Sequence, residues 1–138
     1  MLELTLNKRC NAPVARVFAA WSSSEQIKHL FAHGDMTVPE AEVDFRVGGA
    51  YRIVMQRPDG QTYIVGGIYR DIVTNRRLCF TWCWDGSEVN TEVEVTFRPD
   101  GDRTDVTLTH RQFANAEIRD RHNQGWEGCL ANLAQLGD

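Results

Sequence analysis

Two histidines and a group of large aromatic residues are the side chains of this sequence with chemistry to offer. His110 closes a run in which Val106, Leu108 and His110 alternate with Asp105, Thr107 and Thr109. His122 falls on the stripe Ile118, His122, Trp126, Cys129, Leu133 and Leu136. Both therefore point inward, one from a strand of period two and one from a helix with its period of about 3.6. Imidazole titrates near neutral pH, so the pair could anchor a ligand or exchange protons with it. Around them no Ser or Cys nucleophile, oxyanion turn or carboxylate pair stands at a recognisable spacing, and no HxH or HExxH spacing marks a metal. A satisfied structural histidine is the preferred reading of each. No catalytic residue, metal ligand or cofactor is assigned, and an enzyme using His110 or His122 as acid or base is the lesser alternative.

The aromatic residues make the stronger case. Tyr51, Ile53, Met55, Tyr69, Phe80, Trp82 and Val95 occupy inward strand positions with Phe97, Leu108 and His110, and His122 and Trp126 face them from the helix. Large aromatics beside two imidazoles suit an apolar pocket with a few polar anchors. The expected ligand-binding set is thus Tyr51, Ile53, Met55, Tyr69, Phe80, Trp82, Val95, His110, His122 and Trp126. The competing reading is that these side chains close-pack as core. Cys129 reads as packing beside Trp126. Asp44 and Arg46 read as a surface ion pair, and His29 and His33 as solvent-facing residues at the second short helix.

These residues need elements to position them. Leu2, Leu4 and Leu6 alternate as a strand to about Cys10. Pro13, with Asn11 as cap, opens a short helix carrying Val14, Val17, Phe18 and Trp21. Ser22-Ser23-Ser24-Glu25 restarts the chain into a second, with Ile27, Leu30 and Phe31 inward. From Val38 the period becomes two: Val43, Phe45 and Val47 run to a turn at Gly48-Gly49, then Tyr51, Ile53 and Met55 to Pro58-Asp59-Gly60. Tyr63–Ile72, the Leu78 to Trp84 run, the Val93 to Phe97 run and the Val106 to His110 run follow in hairpin succession. Gly66-Gly67 marks a bulge or bend. The apolar stripe from Asn115 onward predicts one helix of roughly twenty residues, about 30 Å long. The expected fold is α+β: a bent seven-stranded antiparallel sheet wrapped around a long C-terminal helix, with two short helices after strand one, in one helix-grip domain over residues 1–138.

Composition bounds the function. With 15 Lys and Arg against 19 Asp and Glu, a net charge of -4 and the basic residues scattered, nucleic acid is not an expected partner. The N-terminus alternates like a strand rather than a signal peptide, and no apolar run approaches a membrane span, so a cytoplasmic protein without membrane contact is expected. Cys10, Cys79, Cys83 and Cys129 form no CxxC pair and read as buried free thiols.

The sequence also resembles a known family. Ala12-Pro13, Val17-Phe18, Ala20-Trp21, Asp44-Phe45-Arg46-Val47-Gly48-Gly49, Gly67-Ile68-Tyr69, Leu78-Cys79-Phe80-Thr81-Trp82, Val95-Thr96-Phe97, Thr107-Leu108-Thr109-His110, and Gly125-Trp126 with Leu130 and Leu133 carry the likeness. In order and spacing they are similar to the bacterial homologues of the activator of the heat-shock-protein-90 ATPase, within the START-like (SRPBCC) superfamily. The resemblance implies a helix-grip fold and a cavity between sheet and C-terminal helix. The leading functional expectation is a binding protein for a small apolar, aromatic or lipid-like ligand. A co-chaperone acting on the heat-shock-protein-90 ATPase is the alternative that the family name implies, and a cavity enzyme such as a cyclase or hydrolase is the third. A homodimer through sheet edges or the helix face stays open.

Overall fold

The computed structural model describes residues 2–137. In chain order it comprises β1 (Leu2–Cys10), α1 (Val14–Ala19), α2 (Ser24–Phe31), β2 (Thr37–Val43), β3 (Ala50–Gln56), β4 (Thr62–Val73), β5 (Arg77–Trp84), β6 (Thr91–Asp100), β7 (Arg103–Phe113) and α3 (Ala116–Ala134), closed by a 3-10 turn at Gln135–Gly137. The strands form one antiparallel sheet in the order β1-β7-β6-β5-β4-β3-β2. It is a meander from β2 to β7, onto whose far edge the first strand folds back. Alternation of apolar and polar residues places one face of each strand on the core, as in β6, where Thr91, Val93, Val95 and Phe97 are buried and the residues between them are not.

Local signals set most of the element ends. Asn115 caps α3 by accepting from the Ile118 amide at 2.9 Å, and Ser23 caps α2 by accepting from the Gln26 amide at 3.2 Å. The expected Asn11 cap is not used. Pro13 itself is the cap residue of α1, its carbonyl accepting from Arg16 and Val17, and no side chain caps the helix. Asn11 lies two residues too early to reach the first turn. The strand expected through Val47 ends at Val43. Beyond it, Gly48 at φ +86° turns the chain so that its amide donates to the Tyr69 carbonyl at 2.8 Å. Phe45 then packs on Tyr69 and Phe18, while Val47 is exposed.

Two irregularities shape the sheet. A Cβ on Gly67 would overlap the Thr81 carbonyl of β5, so only glycine permits this approach. Here the Thr81 hydroxyl accepts the Ile68 amide at 2.9 Å and bridges a gap in the β4–β5 ladder. In β7 the register against β1 slips between Leu2 and Leu4, and Gln112 has φ +76°. The inserted residue turns both His110 and Phe113 inward, although they stand an odd number of residues apart.

The core lies between the concave face of the sheet and the three helices. Val17, Phe18 and Trp21 of the α1 region and Ile27, Leu30 and Phe31 of α2 meet Tyr51, Ile53, Leu78, Phe80, Val95 and Phe97 of the sheet. Helix α3 contributes Trp126, Cys129, Leu130 and Leu133 and approaches β1 and α2 most closely. Its N-terminal half is thus held away from β3 and β4.

Candidate functional site

Where α3 stands off from β3 and β4, an open cleft of about 710 Å³ runs beneath the helix. Met55 at the end of β3, Arg57 in the following turn and Tyr63 of β4 form one wall, and Trp82 and Trp84 of β5 form the floor. Phe31, His33 and Met36, around the α2–β2 connection, close one end. The roof is α3 itself, through Ile118, Arg121, His122, Gln124, Gly125, Trp126 and Cys129. Steps of four, three and four from Ile118 through His122 and Gly125 to Cys129 put these residues on one helical face. Within this volume range a drug-sized molecule fits.

Of the residues expected to bind a ligand, the structure brings Met55, Trp82, His122 and Trp126 to the cleft. Tyr51, Ile53, Tyr69 and Phe80 lie deeper, around a void of only about 10 Å³ that Trp21, Ile27 and Leu78 also border. Val95 is fully buried in packed core. His110 is likewise fully buried, beneath Trp126 rather than at the cleft surface. Tyr51, Ile53, Tyr69, Phe80 and Val95 are core because α2 and the α1 region fill that half of the interval, closing over the sheet where β3 to β6 meet them, while His110 of β7 is covered by Trp126 and His122 of α3. Tyr51 donates its hydroxyl to the Thr81 carbonyl, and burial pushes both the Tyr51 and Tyr69 phenols up, so they stay protonated.

The two inward histidines share one design. Trp126 Nε1–H donates to His110 Nδ1 at 3.0 Å, which leaves the ring proton on Nε2, directed at Thr91 Oγ1 at 2.6 Å. The Thr91 hydroxyl donates in turn to the Trp82 carbonyl at 3.1 Å. Burial, with a smaller contribution from neighbouring His122, pushes the His110 imidazole down to about 3. His122 Nδ1–H donates to the Ile118 carbonyl at 2.8 Å, and Nε2 accepts from Trp84 Nε1–H at 2.9 Å. Burial also lowers His122. Every ring nitrogen has a protein partner, so both imidazoles are neutral connectors between sheet and helix. Neither has a nitrogen free for proton transfer to a ligand, which removes the geometric support for acid–base catalysis by either.

Several cleft residues escaped the sequence reading. Trp84 follows Trp82 on the same strand face and could have been included by period alone. Arg57 and Tyr63 flank the Pro58-Asp59-Gly60 turn, and nothing local says that this hairpin end overhangs the helix. His33, expected in solvent, is half-buried because Gly128 of α3 lets the ring lie against the helix backbone, and its burial lowers its titration. Asn132, read as part of a polar face, donates to the Leu30 and Ala32 carbonyls at 3.2 and 2.9 Å and so closes the C-terminus of α2. Asp44 and Arg46 do form an exposed ion pair at 2.9 Å, away from the cleft lining. Cys129 is buried with its thiol pushed up, and Cys83, unlike the other three cysteines, is only half-buried. The indole N–H groups of Trp21 and Trp82 are buried and meet no acceptor among the described residues.

A curved antiparallel sheet gripping a C-terminal helix, with an open cleft under that helix, defines a START-like helix-grip protein. The chain belongs to the family of activator of Hsp90 ATPase homolog 1-like proteins, whose profile matches residues 11–138. Solved structures agree over nearly the whole length. A protein from Chromobacterium violaceum superposes with a TM-score of 0.89 at 24% identity, covering 97% of this chain and 96% of that one. The AHSA1 protein from Silicibacter pomeroyi superposes at 0.86 with 26% identity, covering 96% and 95%. A protein from Rhizobium leguminosarum is 29% identical with a TM-score of 0.79, covering 96% and 91%. No curated protein matches the chain. Among the described residues, no helix is long and apolar enough to cross a membrane.

Proposed function

We propose that this chain is a small-molecule binding protein, acting as one START-like domain, whose apolar and aromatic ligand lies in the cleft beneath α3. The observation that carries this reading is Gly125. A glycine inside a helix costs about 1 kcal/mol relative to alanine. Gly128, one turn on, has a packing reason, since a Cβ there would lie 2.7 Å from the His33 ring. Gly125 has none: a Cβ there would meet no atom within 4 Å. It stands at the centre of the cleft-facing stripe, where a side chain would occupy only the space of a ligand. The indoles of Trp82 and Trp126, with centroids 4.9 Å apart, and the Trp84 ring supply the aromatic surface below it. The free cysteines fit a cytoplasmic setting.

Native mass spectrometry of gently purified protein, followed by a thermal-shift screen of aromatic compounds, tests the reading. Retained or stabilising compounds are expected for the wild type and are expected to bind more weakly to Gly125→Leu, whose side chain projects into the cleft from a position where a Cβ meets no atom within 4 Å. A compound that stabilises both proteins equally would contradict the assignment. The second reading, activation of a heat-shock-protein-90 ATPase, is favoured by the family's description. It predicts faster ATP hydrolysis by the cognate chaperone when this protein is added, and an unchanged rate would end it.

A further inference from the structure

We propose that the ligand of this cleft is an organic acid, an aromatic body bearing one anionic group that Arg57 and Arg121 hold at the mouth. The inference rests on the cleft reading above and adds the charge of what binds there. The chain as a whole is acidic, with a net charge of -4, yet the cleft is lined by two arginines and by no aspartate or glutamate. That local reversal of sign is a selection rule for anions. Arg57 comes from the turn after β3 and Arg121 from α3. Both share the lining with Tyr63, Trp82, Trp84 and Trp126, so the cleft offers polar and apolar recognition together.

Each arginine is available. Arg57 forms no ion pair among the described residues; its guanidinium lies 5.2 Å from the centroid of the Tyr63 ring, itself part of the wall. Stacking of this kind fixes the group at the rim and leaves its in-plane N–H donors free for a planar oxyanion. Arg121 donates through one nitrogen to Glu117 at 2.6 Å, but that pair is about three-quarters exposed on both sides. A pair so exposed is weak, and a ligand anion can share or displace it. His122, with both nitrogens committed, competes for no part of the anion. The occupant is therefore a free aromatic acid, rather than a neutral sterol-like or hydrocarbon molecule.

Two dyes of the same skeleton test this. Anilinonaphthalene sulfonate carries an anion, and phenylnaphthylamine has the same rings without it. Wild-type protein is expected to bind the sulfonate about tenfold more tightly. Arg57→Gln should remove most of that preference, and Arg57→Gln with Arg121→Gln all of it, while the affinity for the neutral dye stays unchanged. Arg57→Lys should retain part. Both side chains are on the surface, and circular dichroism will verify that the variants fold. Equal affinity of the wild type for the two dyes, or a preference that survives in the double variant, overturns the inference while leaving the cleft reading intact. Failure of both dyes to bind, or binding of both unaffected by Gly125→Leu, overturns the cleft reading and this inference with it.

Discussion

His110 carries the clearest pH signature in the molecule. Its folded-state titration lies near 3 and its ordinary value is 6.5, so below pH 6.5 the unfolded chain takes up a proton that the folded chain refuses. The stability it contributes is thus fully present above pH 6.5 and is lost as pH falls toward 3. Between about pH 7 and pH 5 this loss amounts to about 2 kcal/mol. The acidic groups with depressed titration, Glu94 beside Arg77 and Asp100 beside Arg9, act with the same sign but below their ordinary 4.5 and 3.8, outside this window. Denaturant titrations should show the slope between pH 5 and 7 shrinking markedly in His110→Gln, leaving only the contributions of His122 and His33; an undiminished slope would refute this account. The two glycines of α3 give a second residue-scale contrast. Gly125→Ala should stabilise by about 0.5–1 kcal/mol, since its Cβ meets nothing, and Gly128→Ala should destabilise, since its Cβ meets the His33 ring. Thermal melts giving the same sign for both would show that the packing argument is mistaken.

At the scale of elements, α3 is tied to the molecule by polar contacts as well as by its apolar stripe. Asn132 reaches back to the carbonyls that end α2, groups that have no partner within their own helix. Replacing it by alanine should cost about 1–2 kcal/mol and loosen the C-terminus of α2, where Phe31 closes the cleft. Hydrogen exchange would show faster exchange across α2 and the loop after it, and unchanged protection there would disprove the tie. Neither Asn132 nor the indole–imidazole pairs could be read from sequence, because they depend on where one element crosses another. What period and turn chemistry determine is which face each residue takes. This was enough for the seven strands, for Leu4, Ile53, Val95 and Leu108 as inward residues, and for Trp82 and Trp126 meeting across the interval. Position along the strand is a different matter. Tyr51 and Met55 share a face of β3, yet one is core and the other lines the cleft, because the crossing of α2 and the lift of α3 divide the strand between them. The departures at Phe45 and Gln112 have a similar origin, since a loop that pairs with a distant strand and an inserted residue both break a local alternation.

For the whole molecule, the separation of a packed half from an open half connects the fold to the proposed function. The α1 region and α2 fill one half of the sheet with aromatic rings, Phe18, Trp21 and Phe97 in edge contact, and that half supports the stability of the other. The open half has its floor held from below by the His110–Thr91 network and its roof pinned by the Trp84–His122 bond, so the cleft is built before anything enters it. A ligand entering a preformed cleft need not order the protein, which preserves the affinity its contacts generate. The charge of the molecule enters at the same scale. In the proposed binding mode Arg57 and Arg121 offer an organic anion an attractive approach along the cleft of a molecule whose net charge is -4. Because both guanidiniums are at the surface, their attraction is screened by salt, the Debye length shrinking from about 10 Å at 0.1 M to about 3 Å at 1 M. Titrations across that range should therefore weaken binding of an anionic naphthalene dye several-fold, while binding of its neutral counterpart, driven by apolar contact with Trp82, Trp84 and Trp126, should hold or strengthen slightly. Equal salt dependence of the two dyes would mean that the arginines take no part in recognition.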